Sequence, residues 1–320
     1  MIRKRLVTVI TALVLIAALG FPLLSPTVAL ADIGDIPGGP VIDTLEFETE
    51  KCEERDITHV SGDVYAMAYK GKDDHGHLQT VTIATDGTIT LEDNEEFDSD
   101  KGKGPDIIHV SGDVYAIAYK GKDKDGFLQT VTIATDGTIT LEDNVEFDTD
   151  DCHRPDIIHV SGDVYAIAYK GKDKDDGYLK TVEITTTGDI TEPVIDTFEF
   201  ETVKGKTPNI IHVSSDVYAI AYSGDKDDGY LKTVEITTTG DITEPVIDTF
   251  EFETVKGKTP DIIHVSGDVY AIAYEGESGQ VTTVEITTTG DITEPVIDTF
   301  EFETVKGKTP DIIHISGDVY

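Results

Sequence analysis

A histidine recurs along this chain at His59, His109, His159, His212, His264 and His314, in steps of 50, 50, 53, 52 and 50 residues. Imidazole is the side chain best suited to proton transfer near neutral pH and to binding transition metals, so six equivalent copies raise the question of a ring that handles protons or a metal. Repetition points elsewhere. A reaction needs its constellation once per site, whereas a repeating fold needs the same hydrogen bond in every unit. The grouping of His109, Ser111 and Asp113 therefore reads as a structural network that ties strands together.

A second candidate is the run of aspartates that ends in glycine: Asp123, Asp125 and Gly126, then Asp173, Asp175, Asp176 and Gly177, then Asp225, Asp227, Asp228 and Gly229. Spaced carboxylates before a sharp turn are what a calcium loop needs. These runs are short of ligands and lack a downstream bidentate acid, and the corresponding residues 275–280 contain no aspartate. The sequence thus favours solvated hairpin turns, with calcium as the alternative and no other cofactor indicated.

Residues that break the repeat carry more functional weight than those that keep it. They are His75 and His77 in the first such loop, and Cys152, His153 and Arg154 before the third unit. His75, His77, His153 and Arg154 are the expected ligand-face residues, with a metal shared by the three histidines as the sharper reading and loop drift as the plainer one. No nucleophile elbow, zinc-protease helix, phosphate loop or dinucleotide fingerprint is present, and carboxylates are too abundant for any pair to stand out. No catalytic residue is assigned.

The elements that must position these residues follow from the repeat. Residues 105–119, PDIIHVSGDVYAIAY, return almost letter for letter, and a period near 50 marks an array of supersecondary units. Within the second unit, period-two alternation predicts strands over 107–111, 114–119, 128–135 and 138–147, here called a, b, c and d. Ser111-Gly112-Asp113, residues 121–126 and Asp136-Gly137 supply the turns. No helical periodicity appears.

Four antiparallel strands in about 50 residues, repeated without helices, resemble the blades of β-propeller repeat proteins. The resemblance extends over residues 32–320 and implies an all-β array of blades packed face to face. It matches no named propeller family: there is no tryptophan for a Trp-Asp blade ending, and neither a double-glycine blade pattern nor an Asp-box is present. Residues 35–49 match the d segments at 189–202, 241–254 and 291–304, so a lone d strand is expected to precede five complete blades. A sixth begins at Pro310 and runs to Tyr320, which reads as a truncated blade of a longer ring.

Residues 1–31 have the form of a secretory signal peptide, with Arg3, Lys4 and Arg5, an apolar run, and Ala29-Leu30-Ala31 as the cleavage site. An uncleaved anchor is the alternative. Export would place the protein outside the cell or on its surface. Removing three basic residues takes the net charge from -38 to -41, a surface that repels nucleic acid and anionic lipid. No later apolar run is long enough to span a bilayer. Cys52 and Cys152 occupy equivalent places two units apart, too far for a disulfide.

The leading functional expectation is an exported, non-enzymatic propeller that binds a glycan, a polymer or an extracellular protein through several similar loops. The alternatives are a polysaccharide hydrolase or lyase, with its site on the irregular loops of the first three blades, and a structural surface protein.

Overall fold

Gly112 sits at φ +56 with nothing near its missing side chain, and it turns the chain so that Lys103–Ser111 (β5) pairs antiparallel with Val114–Lys120 (β6). A short 3₁₀ turn, Lys122–Lys124, leads into Gly126–Ile133 (β7), and an Asp-Gly turn leads into Ile139–Asp148 (β8). The sheet order is β5-β6-β7-β8.

The same four-strand meander forms four more times. Glu53–Ser61, Val64–Lys70, Gly76–Ile83 and Ile89–Asp98 are β1 to β4, and His153–Ser161, Val164–Lys170, Gly177–Ile184 and Ile190–Glu201 are β9 to β12. Lys206–Ser214, Val217–Ser223, Gly229–Ile236 and Ile242–Glu253 are β13 to β16, and Lys258–Ser266, Val269–Glu275, Gly279–Ile286 and Ile292–Glu303 are β17 to β20. Five four-stranded antiparallel sheets make this the all-β propeller that the repeat predicts.

The computed structural model describes residues 43–48, 53–172, 175–304, 307–315, 317 and 319–320. The chain divides into residues 1–44 and 45–320, and all five sheets belong to the second unit. The expected leader at 1–31 and Cys52 lie outside the described residues. Of the expected lone d strand, residues 43–48 are described, and they carry no strand pairing. Phe47 nevertheless sits edge-on to Tyr69 at 5.3 Å, as Phe97 does to Tyr119 at 5.0 Å.

Strand bounds differ from the sequence reading in an informative way. Strand a starts at Lys103 rather than 107, because the chain bulges at Gly104 (φ +54) and then resumes pairing. The bulge recurs at residues that are not glycine, Glu54, Arg154, Thr207 and Thr259, with φ between 45 and 52. Strand c starts earlier than expected, at Gly126, which pairs with Lys120.

The core lies between sheets. Tyr119 stacks on Phe127 of its own sheet and receives the edge of Phe97 from the preceding one, while Ile117, Ala116 and Ala118 are fully buried. Each large aliphatic or aromatic side chain of this kind contributes about 1.5–3 kcal/mol when taken out of water. Small alanines against tyrosines let adjacent sheets interlock.

Polar bonds fix the angle between neighbours. Thr80, Thr130, Thr181 and Thr233 each donate from Oγ1 to the carbonyl of a turn glycine in the next blade, at 2.6 Å. Asp93, Asp143, Asp196 and Asp248 of the d strands accept from Ile139, Ile190, Ile242 and Ile292 of the next blade. Two later residues reach the fifth sheet through related bonds: Ile312 N–H donates to Asp261 at 2.7 Å, and the Tyr320 hydroxyl donates to the Val265 carbonyl at 3.1 Å. Among the described residues no helix is long and apolar enough to cross a membrane.

Candidate functional site

The repeated histidines are exposed and close their own hairpins. His109 Nε2 lies 2.9 Å from the Gly112 carbonyl and its ring meets Tyr115 edge-on at 5.0 Å. His59, His159, His212, His264 and His314 make the same turn bond. The bond stays within one hairpin.

A different side chain lines the centre. The starts of the innermost strands surround a cavity of about 580 Å3 that reaches from Asp56 and Asp106 through Asp156 and Asn209 to Asp261 and Asp311. Each of the first five accepts a hydrogen bond from a backbone N–H of the next blade: Asp56 from Ile107, Asp106 from Ile157, Asp156 from Ile210, Asn209 from Ile262 and Asp261 from Ile312. Burial pushes Asp156 and Asp261 up to about 7, with the charge of Asp56 adding to both. Burial also holds Asp106 well above the carboxylate range, reinforced by Asp156 and Asp56. Sequence reasoning passed over this ring, and its signal was available: an Asp or Asn stands three residues before every repeat histidine.

One face of the unit gathers the b–c turns and the segments that link one blade to the next. Gly102, Cys152, Gly205 and Gly257 of the linkers donate at 2.8 Å to the carbonyls of Asp74, Lys124, Asp175 and Asp227 in those turns. Ion pairs follow the same seam. Asp74 meets Lys103 at 2.6 Å, Asp175 meets Lys206 at 3.6 Å, and Asp227 meets Lys258 at 2.7 Å. Between the second and third blades the polarity is reversed, with Lys124 in the turn and Asp151 in the linker at 3.7 Å.

This accounts for several of the aspartates picked out as calcium candidates: Lys170 and then Lys206 draw Asp175 down, and Lys258 draws Asp227 down, as Lys103 does Asp74, which is not among them. Asp225 pairs with Lys204 at 3.0 Å. Asp228 and Asp176 are buried, and Asp176 Oδ1 has no hydrogen-bond partner among the described residues. Asp123 is exposed with φ +53. Burial and the charges of Asp123 and Asp148 raise Asp125. Asp173 lies outside the described residues. Among the described residues no group of three or more His, Cys, Asp or Glu could hold a metal ion.

The four ligand-face residues separate into two places. His77 stacks on Tyr69 at 5.4 Å, in the position that Phe127, Tyr178 and Tyr230 fill in later blades. Burial lowers its pKa. His75 Nδ1 lies 3.1 Å from Glu96. His153 and Arg154 stand instead at the start of β9, beside a second cavity of about 480 Å3. Lys120 Nζ lies 2.6 Å from His153 Nε2 and 2.8 Å from Asp151 Oδ1. Burial first, then Lys120 and Lys170, lower the His153 pKa. Cys152 is a free, fully buried thiol, and burial raises its pKa well above normal.

No family model and no curated protein matches the chain. Among solved structures it is similar to Sqt1 from Chaetomium thermophilum, at 12% identity over 76% of this chain and 60% of that one, TM-score 0.47. It is also similar to a putative exo-β-1,3-galactanase from Bifidobacterium bifidum s17, at 10% identity over 78% and 92%, TM-score 0.48. A third is CoXyl43, a GH43 β-xylosidase/α-arabinofuranosidase from a compost microbial metagenome, at 12% identity over 76% and 93%, TM-score 0.42. The chain spans about 60% of the length of Sqt1. No residue here takes a role from these similarities.

Proposed function

We propose that this protein is an exported, non-enzymatic binding propeller that takes its ligand on the face built from b–c turns and blade linkers. The observation behind this reading is that residues departing from the repeat, His153 and Arg154, line a cavity with residues of the first four blades, Glu54, Lys103, Lys124, Lys170 and Lys206 among them. Pockets of this size suit small ligands or the end of a larger one. The ring carboxylates with raised pKa, Asp56, Asp106, Asp156 and Asp261, are engaged in blade-to-blade bonds, which favours a structural role for them over acid–base catalysis.

The test is a glycan and extracellular-protein array probed with the full-length protein. Charge reversal on the loop face, Lys124→Glu, is expected to reduce binding, whereas Asp113→Lys on the opposite hairpin face should leave it unchanged. Turnover of a bound polysaccharide would overturn the non-enzymatic reading, and equal sensitivity to both variants would overturn the choice of face.

A further inference from the structure

The cavity beside His153 is basic in a protein that is otherwise strongly acidic. Seven of the 25 lysines and arginines line its roughly 480 Å3, although the chain carries a net charge of -38. Five of the seven have carboxylate partners. Lys103 pairs with Asp74 at 2.6 Å, Lys120 with Asp151 at 2.8 Å, and Lys170 with Asp175 at 2.8 Å. Lys124 and Lys206 make longer pairs of 3.7 and 3.6 Å with Asp151 and Asp175.

Two cations are left over. Lys101 and Arg154 have no carboxylate within ion-pair distance among the described residues. Among the described residues, one acid, Glu54, lines the cavity and four more, Asp74, Asp151, Asp175 and Asp227, pair with its lysines, five carboxylates against seven cations, so this set carries an excess of about two positive charges. His153 does not add to it at neutral pH, because burial and the adjacent ammonium of Lys120 disfavour its charged form.

The fold does not ask for arginine at 154. Gly104, Thr207, Thr259 and Thr309 stand at the same bulge, each with positive φ, a conformation that side chains adopt only reluctantly. An arginine kept there, with its planar fork unpaired, is suited to an oxyanion that can accept two parallel hydrogen bonds. We propose that this pocket binds a compact anion carrying two or more negative charges, the chemistry shared by small polycarboxylates and pyrophosphate. The proposal rests on the binding reading above and names its ligand class. A long polyanion fits less well, because it would have to cross the surrounding acidic surface within a Debye length of about 8–10 Å.

Calorimetry of the full-length protein with citrate and with inorganic pyrophosphate tests this directly. At least one should bind with one-to-one stoichiometry, weakening as salt rises. Tighter citrate binding identifies a carboxylate source and tighter pyrophosphate binding a phosphate source. Arg154→Thr installs the residue that the fourth and fifth blades already hold at the bulge, so it should fold, and it should weaken binding about tenfold, roughly the worth of one charged bidentate contact. Lys101→Ala should weaken it by a smaller factor. Binding of neither probe, binding unchanged in both variants, or binding of heparin alone would overturn the proposal. A neutral glycan held on this face while neither anion binds would overturn the anion assignment and leave the binding reading standing.

Discussion

The carboxylate of Asp156 accepts a hydrogen bond from the backbone N–H of Ile210, 54 residues later, at 2.6 Å. The bond links two blades, yet the carboxylate that makes it is pushed up to about 7 by burial. The fourth member of the same ring is Asn209, whose Oδ1 accepts from Ile262 at 2.9 Å. An amide therefore makes the same link without charge.

Asp156→Asn should accordingly stabilise the protein at pH 8. A carboxyl whose folded pKa is raised is protonated in the folded chain and ionised in the unfolded chain between about pH 4 and 7, so its contribution declines as pH rises through that window. Asp261, also near 7, adds in the same direction. His77 and His153, with lowered pKa values, act oppositely below about pH 6.5. The difference between wild type and Asp156→Asn isolates the carboxylate. Melting temperatures measured from pH 5 to 8 should show the variant gaining on the parent up to about pH 7 and levelling off above it. A constant difference would show that Asp156 does not titrate there.

Thr181 is fully buried and donates to the Gly240 carbonyl of the next blade at 2.6 Å. Thr181→Val keeps the shape and leaves that carbonyl without its partner, which should cost about 1–3 kcal/mol. Urea unfolding would measure it. A cost below about 0.5 kcal/mol would mean that the Thr-to-Gly bonds do not hold blades together.

Gly121 and Gly276 occupy the same place in different blades. A Cβ on Gly121 would stand 2.3 Å from the Phe127 ring, which is also stacked on Tyr119, whereas on Gly276 its nearest neighbours are Gln280 Nε2 and the Ser278 carbonyl, both at 3.2 Å. Gly121→Ala should cost about 1–3 kcal/mol through overpacking, and Gly276→Ala should stay within about 0.5 kcal/mol. Comparable losses in the two variants would locate the requirement for glycine in the backbone instead of the ring.

Calcium is expected to leave the melting temperature unchanged. The loop carboxylates Asp74, Asp175 and Asp227 already face lysine ammonium groups from the next linker, and a calcium ion would have to displace them. Thermal scans with millimolar calcium and with chelator provide the check. A reproducible rise with calcium would point to the buried Oδ1 of Asp176, unpartnered among the described residues, as part of a site.

The sequence by itself determined the blade. Its period, the alternation in PDIIHVSGDVYAIAY and the glycine turns are local signals, and a pleated strand with one residue up and the next down converts them directly into four antiparallel strands. It also marked His153 and Arg154 as departures from the pattern. It did not place His77, which breaks the repeat in letters but stacks on Tyr69 like the aromatic rings it replaces. Nor did it reveal that Asp106 reaches Ile157, or that Lys120 and Lys170 line one cavity with His153. Those relationships join residues of different blades or different strands, and only the packing of one sheet against the next decides which of many similar side chains meet. The basic pocket of an acidic protein is such a case, because charge summed along the chain says nothing about where seven cations converge.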